Sequence, residues 1–148
     1  MNNSLFNESG MYFSDFKGLQ RCCFRGMKVR VYRNLNKPEY YSILALEGPD
    51  KRKVVGYAKS VEMTEVKFIV SAKSRERVLR EKSRNVHAFC EGFLSNIFDK
   101  QVVFSAPTIE VSYNPYFESY FFRTDDKSEV EPFAKSLTLQ HSCAYIDG

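Results

Sequence analysis

Lys28-Val29-Arg30-Val31-Tyr32-Arg33-Asn34-Leu35 alternates with a period of two. Val29, Val31 and Leu35 fall on one side, and Lys28, Arg30, Tyr32 and Asn34 on the other. Successive side chains of a strand point to opposite faces, so this is the pattern of a half-buried β-strand. Asn36-Lys37-Pro38-Glu39 then makes a turn, because Pro fixes φ and offers the ladder no donor. Tyr40 to Leu46 is a second strand, and Gly48-Pro49-Asp50 turns it into a hairpin with a third strand from Lys53 to Ser60. A fourth, Glu65 to Val70, sets Val66, Phe68 and Val70 on one face. Short strands joined by short turns predict an antiparallel sheet, as a meander or a small, partly open barrel.

The segment 73–83 breaks this period. It is rich in Arg, Glu, Lys and Leu and lacks Gly and Pro, so it predicts the one short α-helix of an α+β fold. Ser71 or Ser74 can cap its start, and Asn85 suits a left-handed stop. Glu76–Arg80 and Arg77–Glu81 are spaced to pair one helical turn apart. Beyond it, Val86–Phe93 reads as strand and Ile97–Phe104 as loop and strand. Thr108–Tyr113, Glu118–Thr124 and Val130–Gln140 complete the series, with turns at Asn114-Pro115 and at 125–128. Pro132 places the start of the last run at a sheet edge. Met1 to Gly26 shows no sustained period. It is expected to be a loosely ordered arm ahead of a single β-rich domain over 27–148, with Met27 an alternative start of translation. The alternative is an arm docked through Phe13, Phe16 and Leu19.

A chain of 148 residues fits one domain and can bury enough surface to fold without a disulfide or metal. Its 13 Phe and 9 Tyr favour strands. No apolar run approaches the length of a membrane-spanning helix, and the first ten residues lack the look of a secretory signal. Cys22, Cys23, Cys90 and Cys143 show no disulfide-framework spacing, which points to reduced thiols and a cytoplasmic location. The net charge of +4 is uneven: residues 1–72 carry +5, residues 73–107 carry +3 and residues 108–148 carry −4. The basic part suits a polyanion, or else the two parts attract each other within the fold.

On a helix, Lys73, Arg77, Arg80 and Arg84 fall within about 60° of one another and form a basic stripe. Val78 and Leu79 take the opposite side and should meet the sheet. Such a stripe suits a phosphate backbone, DNA or RNA, although charged faces often serve only to be solvated. Lys28, Arg30 and Tyr32 on the outward face of the first strand offer a second surface for phosphates and stacked bases. His87 follows directly on the stripe and can share its ligand, or be an ordinary hydrogen-bonded strand histidine. A rival surface is aromatic: Tyr113, Tyr116, Phe117 and Tyr120 can anchor a host protein.

His87 lies near Cys90 and His141 near Cys143, a set of zinc-ligand types. Strand residues three apart face opposite ways, so no metal site is assigned. No GxSxG, P-loop, HExxH or Rossmann glycine pattern occurs, the seven glycines do not cluster, and Cys90 with His87 lacks a third orienting group. No cofactor is indicated, and an enzyme is the least favoured class.

Three stretches are distinctive: Val29–Lys37, Phe68–Ser71 with Arg77–Phe89, and Val111–Tyr116. Together they read VRVYRNLNK, FIVS with RVLREKSRNVHAF, and VSYNPY. They resemble a family of small, mostly uncharacterised proteins of bacteria, phages and other mobile elements, over about residues 28–124. The resemblance implies a bacterial cytosol, favours a start at Met27, and supplies no mechanism. Cys90 departs from the aliphatic residue the resemblance leads one to expect there.

Overall fold

The computed structural model describes residues 4–82 and 84–147. The chain first forms a hairpin of β1 (Met11–Phe16) and β2 (Leu19–Phe24). It then lays down β3 (Lys28–Arg33), β4 (Tyr41–Ala45), β5 (Val54–Ala58) and β6 (Ser60–Val70). Helix α1 (Ala72–Glu81) follows, then β7 (Ala88–Phe98), β8 (Thr108–Ser112), β9 (Phe122–Arg123), β10 (Phe133–Gln140) and β11 (Cys143–Asp147). β3 to β11 build one antiparallel sheet in the order β5-β4-β3-β7-β6-β10-β11-β8-β9. The expected α+β class, a mainly antiparallel sheet with one short helix, is what forms. β3, β4 and β5 run as a meander; β7 then inserts between β3 and β6, so the whole is not one. The sheet stays open, with β5 and β9 at its edges.

The sheet is strongly coiled. β4 and β11 are separated by four strands in the order, which at about 4.8 Å per strand would keep them roughly 24 Å apart in a flat sheet. Yet the Tyr41 hydroxyl of β4 donates to the carbonyl of Cys143 in β11 at 3.4 Å. A bulge contributes to this bend. β6 buries Val61 and Met63, then Val66 and Phe68, so its inward parity switches at Thr64–Glu65. Glu65 takes φ 51°, and Gly92 of β7 lies against the bulge, where an added Cβ would stand 2.8 Å from the Thr64 carbonyl oxygen. The parity switch is why the alternation in the sequence shows only the second half of β6, beginning at Glu65. β7 likewise changes parity, burying Leu94 and then Ile97, so the two strands expected over 86–93 and 97–104 are one strand that ends at Phe98.

The later boundaries also shift. The strand expected over 118–124 shrinks to β9. The last expected strand, 130–140, is β10, and a strand the sequence did not announce, β11, follows it through His141-Ser142, both at positive φ (55° and 64°). A two-residue turn of this hand normally asks for Asn-Gly, which explains why the sequence hides it. β10 is interior, not an edge; Pro132 sits just before it and contributes only its carbonyl, which accepts from the Phe68 amide at 2.9 Å. The buried Gln140 side chain holds the irregular segment after β7, accepting from the Val102 amide (2.8 Å) and donating to its carbonyl (3.0 Å).

Where the sequence leads one to expect a loosely ordered arm, residues 11–24 form the β1–β2 hairpin. It turns through Lys17-Gly18, both at positive φ, with the Gly18 amide bound by the Asp15 carboxylate at 2.8 Å. The hairpin covers the β5 edge: Arg21 donates to the Val54 carbonyl at 2.9 Å, and Tyr12 and Ser14 lie against Gly56. Docking runs through Cys23 and Phe6, which join the core, and through Phe16, whose ring lies 5.6 Å from that of Tyr57 in β5, while Phe13 and Leu19 remain exposed. That core lines the concave side of the sheet, with Val29, Val31, Ile43, Val61, Leu94 and Ile97 almost fully buried. Among the described residues no helix is long and apolar enough to cross a membrane.

Candidate functional site

Helix α1 is set by its caps. Ser71, in extended backbone, accepts from the Ser74 amide (3.4 Å) at the start. Lys82, at φ 55°, ends it by donating its amide to the Val78 carbonyl (2.9 Å). The left-handed stop is therefore Lys82, three residues before Asn85, and Ser83 lies outside the described residues. Arg84 consequently leaves the helical stripe to which the 3.6-residue period assigns it, although it is exposed. Val78 is buried and Leu79 half-buried, as the opposite face requires.

Lys73, Arg77 and Arg80 stay on the helix and border a shallow cleft with Ser74 and Glu76. Arg77 pairs with Glu81 at 3.1 Å, and Arg80 reaches Glu76 and Glu81 at 3.6 Å each. The two arginine side chains remain 61% and 65% exposed. Exposed pairs of this kind are worth about 0–1 kcal/mol, so a phosphate could compete for them. Among the described residues no ion pair joins the acidic segment 108–148 to the basic regions; Arg123 takes up Asp125 and Asp126 within it.

On β3, Lys28 is exposed. Arg30 is engaged: it pairs with Glu91 at 2.7 Å and lies over the Phe89 ring at 4.2 Å. Tyr32 is half-buried, and burial pushes its phenol above the ordinary range. Arg30 and Tyr32 face a groove that also meets Ser71, Ser74, Val86 and Phe89. Ser74 thus borders both concavities, and the two basic surfaces read from the sequence are neighbours in space.

Beside the groove lies a cavity of about 240 Å³. The β3–β7 ladder stops at the pair Val31–Cys90, whereas β6–β7 pairing continues to Val70–Ala88. β3 and β7 therefore part at this end, and the cavity reaches from the core side, at Val31 and Cys90, to Tyr32 and Phe89 on the outer side. Tyr41, Val111, Phe121 and Leu139 supply further walls.

Its polar groups come from the segments after α1 and β8. The His87 Nδ1 lies 2.7 Å from the Asn85 carbonyl, so Nδ1 carries a proton. The Nε2 is shielded and has no partner. The His87 ring sits 5.3 Å from Tyr113, which in turn sits 5.2 Å from Phe121. Burial pushes the Tyr113 phenol up to about 12, against the pull of the neighbouring Arg75 guanidinium. Arg75 donates to the Pro115 carbonyl at 2.8 Å, but its Nε and the Tyr113 hydroxyl complete no hydrogen bond of good geometry. Buried polar groups are nearly always paired; Arg75 and the Tyr113 hydroxyl lie beside each other, which leaves the His87 Nε2 as the cavity-lining group with no polar neighbour to account for it. Arg75 is the residue the sequence reading passes over. The signal was there: it stands three and four residues before Val78 and Leu79, on the buried face of the helix.

The four aromatics of the rival surface divide. Tyr113 belongs to the cavity, and Tyr120 is half-buried beside Glu118. Tyr116 and Phe117 stand out at 56% and 73% exposure. Asn114 holds them there, its side chain accepting from the Tyr116 amide at 3.0 Å and its carbonyl from the Phe117 amide at 3.1 Å. Of the His and Cys pairs, His87, Cys90 and Cys143 line the cavity, while His141 turns to Gln101 at 3.0 Å. Among the described residues no three His, Cys, Asp or Glu side chains are grouped to hold a metal. All four cysteines are free thiols.

Fold and site together define an open, coiled antiparallel β-sheet protein with one basic helix flanking a cavity. The family model described as "Mycobacterium phage L5 gene 82 protein" matches residues 23–146. The Gene 82 protein of Mycobacterium phage L5 is 30% identical over 107 residues, covering 69% of this chain and 82% of that relative. The chain belongs to this phage protein family. No solved structure matches it.

Proposed function

We propose that this phage-family protein is a small nucleic-acid-binding accessory protein. The observation that carries the reading is the meeting at Ser74 of the α1 cleft, with Lys73, Arg77 and Arg80, and the β3 groove, with Arg30 and Tyr32. Cations spaced along a helix bind phosphates, and an adjoining aromatic groove accommodates bases. Among the described residues, Arg77 and Arg80 form ion pairs only with the helix's own Glu76 and Glu81, and Lys73 forms none, which leaves the three available. Arg30 contributes less, since Glu91 already neutralises it.

Fluorescence anisotropy with labelled single- and double-stranded DNA and RNA tests this. Affinity should fall steeply with added salt. Replacing Lys73, Arg77 and Arg80 together by Ala should flatten the log–log salt slope by about 2, at roughly 0.7 per single-strand phosphate. Absence of binding to every nucleic acid at low salt overturns the proposal.

A second reading is favoured by the outward Tyr116 and Phe117, which could anchor a host protein. A stoichiometric, nuclease-resistant complex lost on replacing both by Ser would select it.

A further inference from the structure

We propose that the cavity between β3, β7 and the β10–β11 turn receives one unstacked nucleobase of a single strand whose phosphates run along α1. This rests on the nucleic-acid reading and specifies its ligand.

Three observations converge on it. The first is continuity. The α1 cleft and the β3 groove share Ser74, and the groove and the cavity share Tyr32, Val86 and Phe89. A strand following the cations is thereby led to the opening where β3 and β7 part. The second is size. A cavity of about 150 Å³ can hold benzene, and drug-sized ligands take about 300–1,000 Å³. The 240 Å³ here lies between, the range of one heteroaromatic ring system. The third is chemistry. Phe89, Tyr113, Phe121 and His87 offer ring faces for a base, which binds by stacking. His87 Nε2 is without a partner in the wall, an acceptor in neutral imidazole, and the Tyr113 hydroxyl, beside the Arg75 guanidinium, keeps its proton to donate to a base edge. A purely apolar guest would leave both unpaired. An anionic guest would find one cation in the lining, Arg33, but waste the aromatic walls, so phosphates belong outside and the base inside.

The test compares an unstructured DNA oligomer with an abasic oligomer of equal length and charge, at low salt. The base-bearing strand should bind roughly 5- to 150-fold tighter, the range of base–aromatic stacking. Val86→Trp, at the junction of groove and cavity on an irregular segment, should bring the base-bearing and abasic oligomers to equal affinity for the variant. Equal binding of the two oligomers overturns this inference while the nucleic-acid reading stands; binding of neither overturns that reading itself. A free mononucleotide that binds as tightly as the oligomer overturns the strand assignment. A readout independent of variants is photocrosslinking with 5-iodouracil oligomers. Adducts on Tyr113, His87, Phe89 or Tyr32 support the inference, and adducts confined to the β1–β2 hairpin overturn it.

Discussion

Gly92→Ala tests the bulge that helps to coil the sheet and so to form the cavity. A Cβ at this position would stand 2.8 Å from the Thr64 carbonyl oxygen, 2.9 Å from that of Glu65 and 3.1 Å from the Val66 Cα. All three are backbone atoms of the bulged strand, so no flexible side chain can yield. Overpacking of this kind costs about 1–3 kcal/mol, and fixed backbone neighbours place the cost towards the upper end. Gly92 does not adopt positive φ, so the Ala backbone is unstrained and the unfolded chain loses entropy, which offsets about 0.4–1 kcal/mol. The net expectation is a loss of about 1–2 kcal/mol. At this chain length that is a fall in Tm of roughly 3–8 °C. Urea unfolding followed by far-UV circular dichroism measures it, with the midpoint lowered and the slope unchanged. Gly56→Ala is the control, because its Cβ would make only ordinary contacts, at 3.5 Å, with Ser14 and Tyr12. If Gly92→Ala is as stable as wild type, or if the two variants behave alike, the bulge does not constrain the sheet as argued.

Further outcomes follow from particular groups. His141→Asn with Ser142→Gly, in a turn where both residues hold positive φ, should stabilise by about 0.5–1.5 kcal/mol in the same urea assay. At pH 8, Ellman's reagent should label Cys22 and Cys143 first and reach Cys23 and Cys90 only on unfolding, since the latter are buried and burial pushes both thiols up to about 12. Stability should also fall as pH rises from about 9 to about 12. Over that window the unfolded chain loses protons from cysteine and tyrosine that the fold retains on Cys23, Cys90, Tyr113 and Tyr145. Tyr113→Phe should remove part of the loss above pH 10, and a pH series of urea midpoints would show an unchanged profile if burial does not hold that proton.

The sequence by itself determined the class of fold and those local elements whose signals are self-contained. Alternation over 28–35 marks β3, Gly48-Pro49-Asp50 marks the β4–β5 hairpin, and the Arg- and Glu-rich run marks α1, because each signal depends only on neighbours along the chain. Residues that depend on partners across the sheet were not legible in this way. The β6 bulge reverses the inward parity at Glu65, so alternation fails where the strand continues, and Gly92 is needed only because β6 lies against it. His141-Ser142 turns without turn residues since the pairing of β10 with β11 stabilises a conformation the two would not choose. The cations of α1 were readable from a 3.6-residue period, but the end of that period was set by the left-handed Lys82, which leaves Arg84 outside the stripe. The cavity was not readable at all. It arises where β3 and β7 part and the coiled sheet carries β4 to β11, so Arg75, His87, Tyr113 and Cys143 become neighbours through long-range pairing that no local pattern encodes.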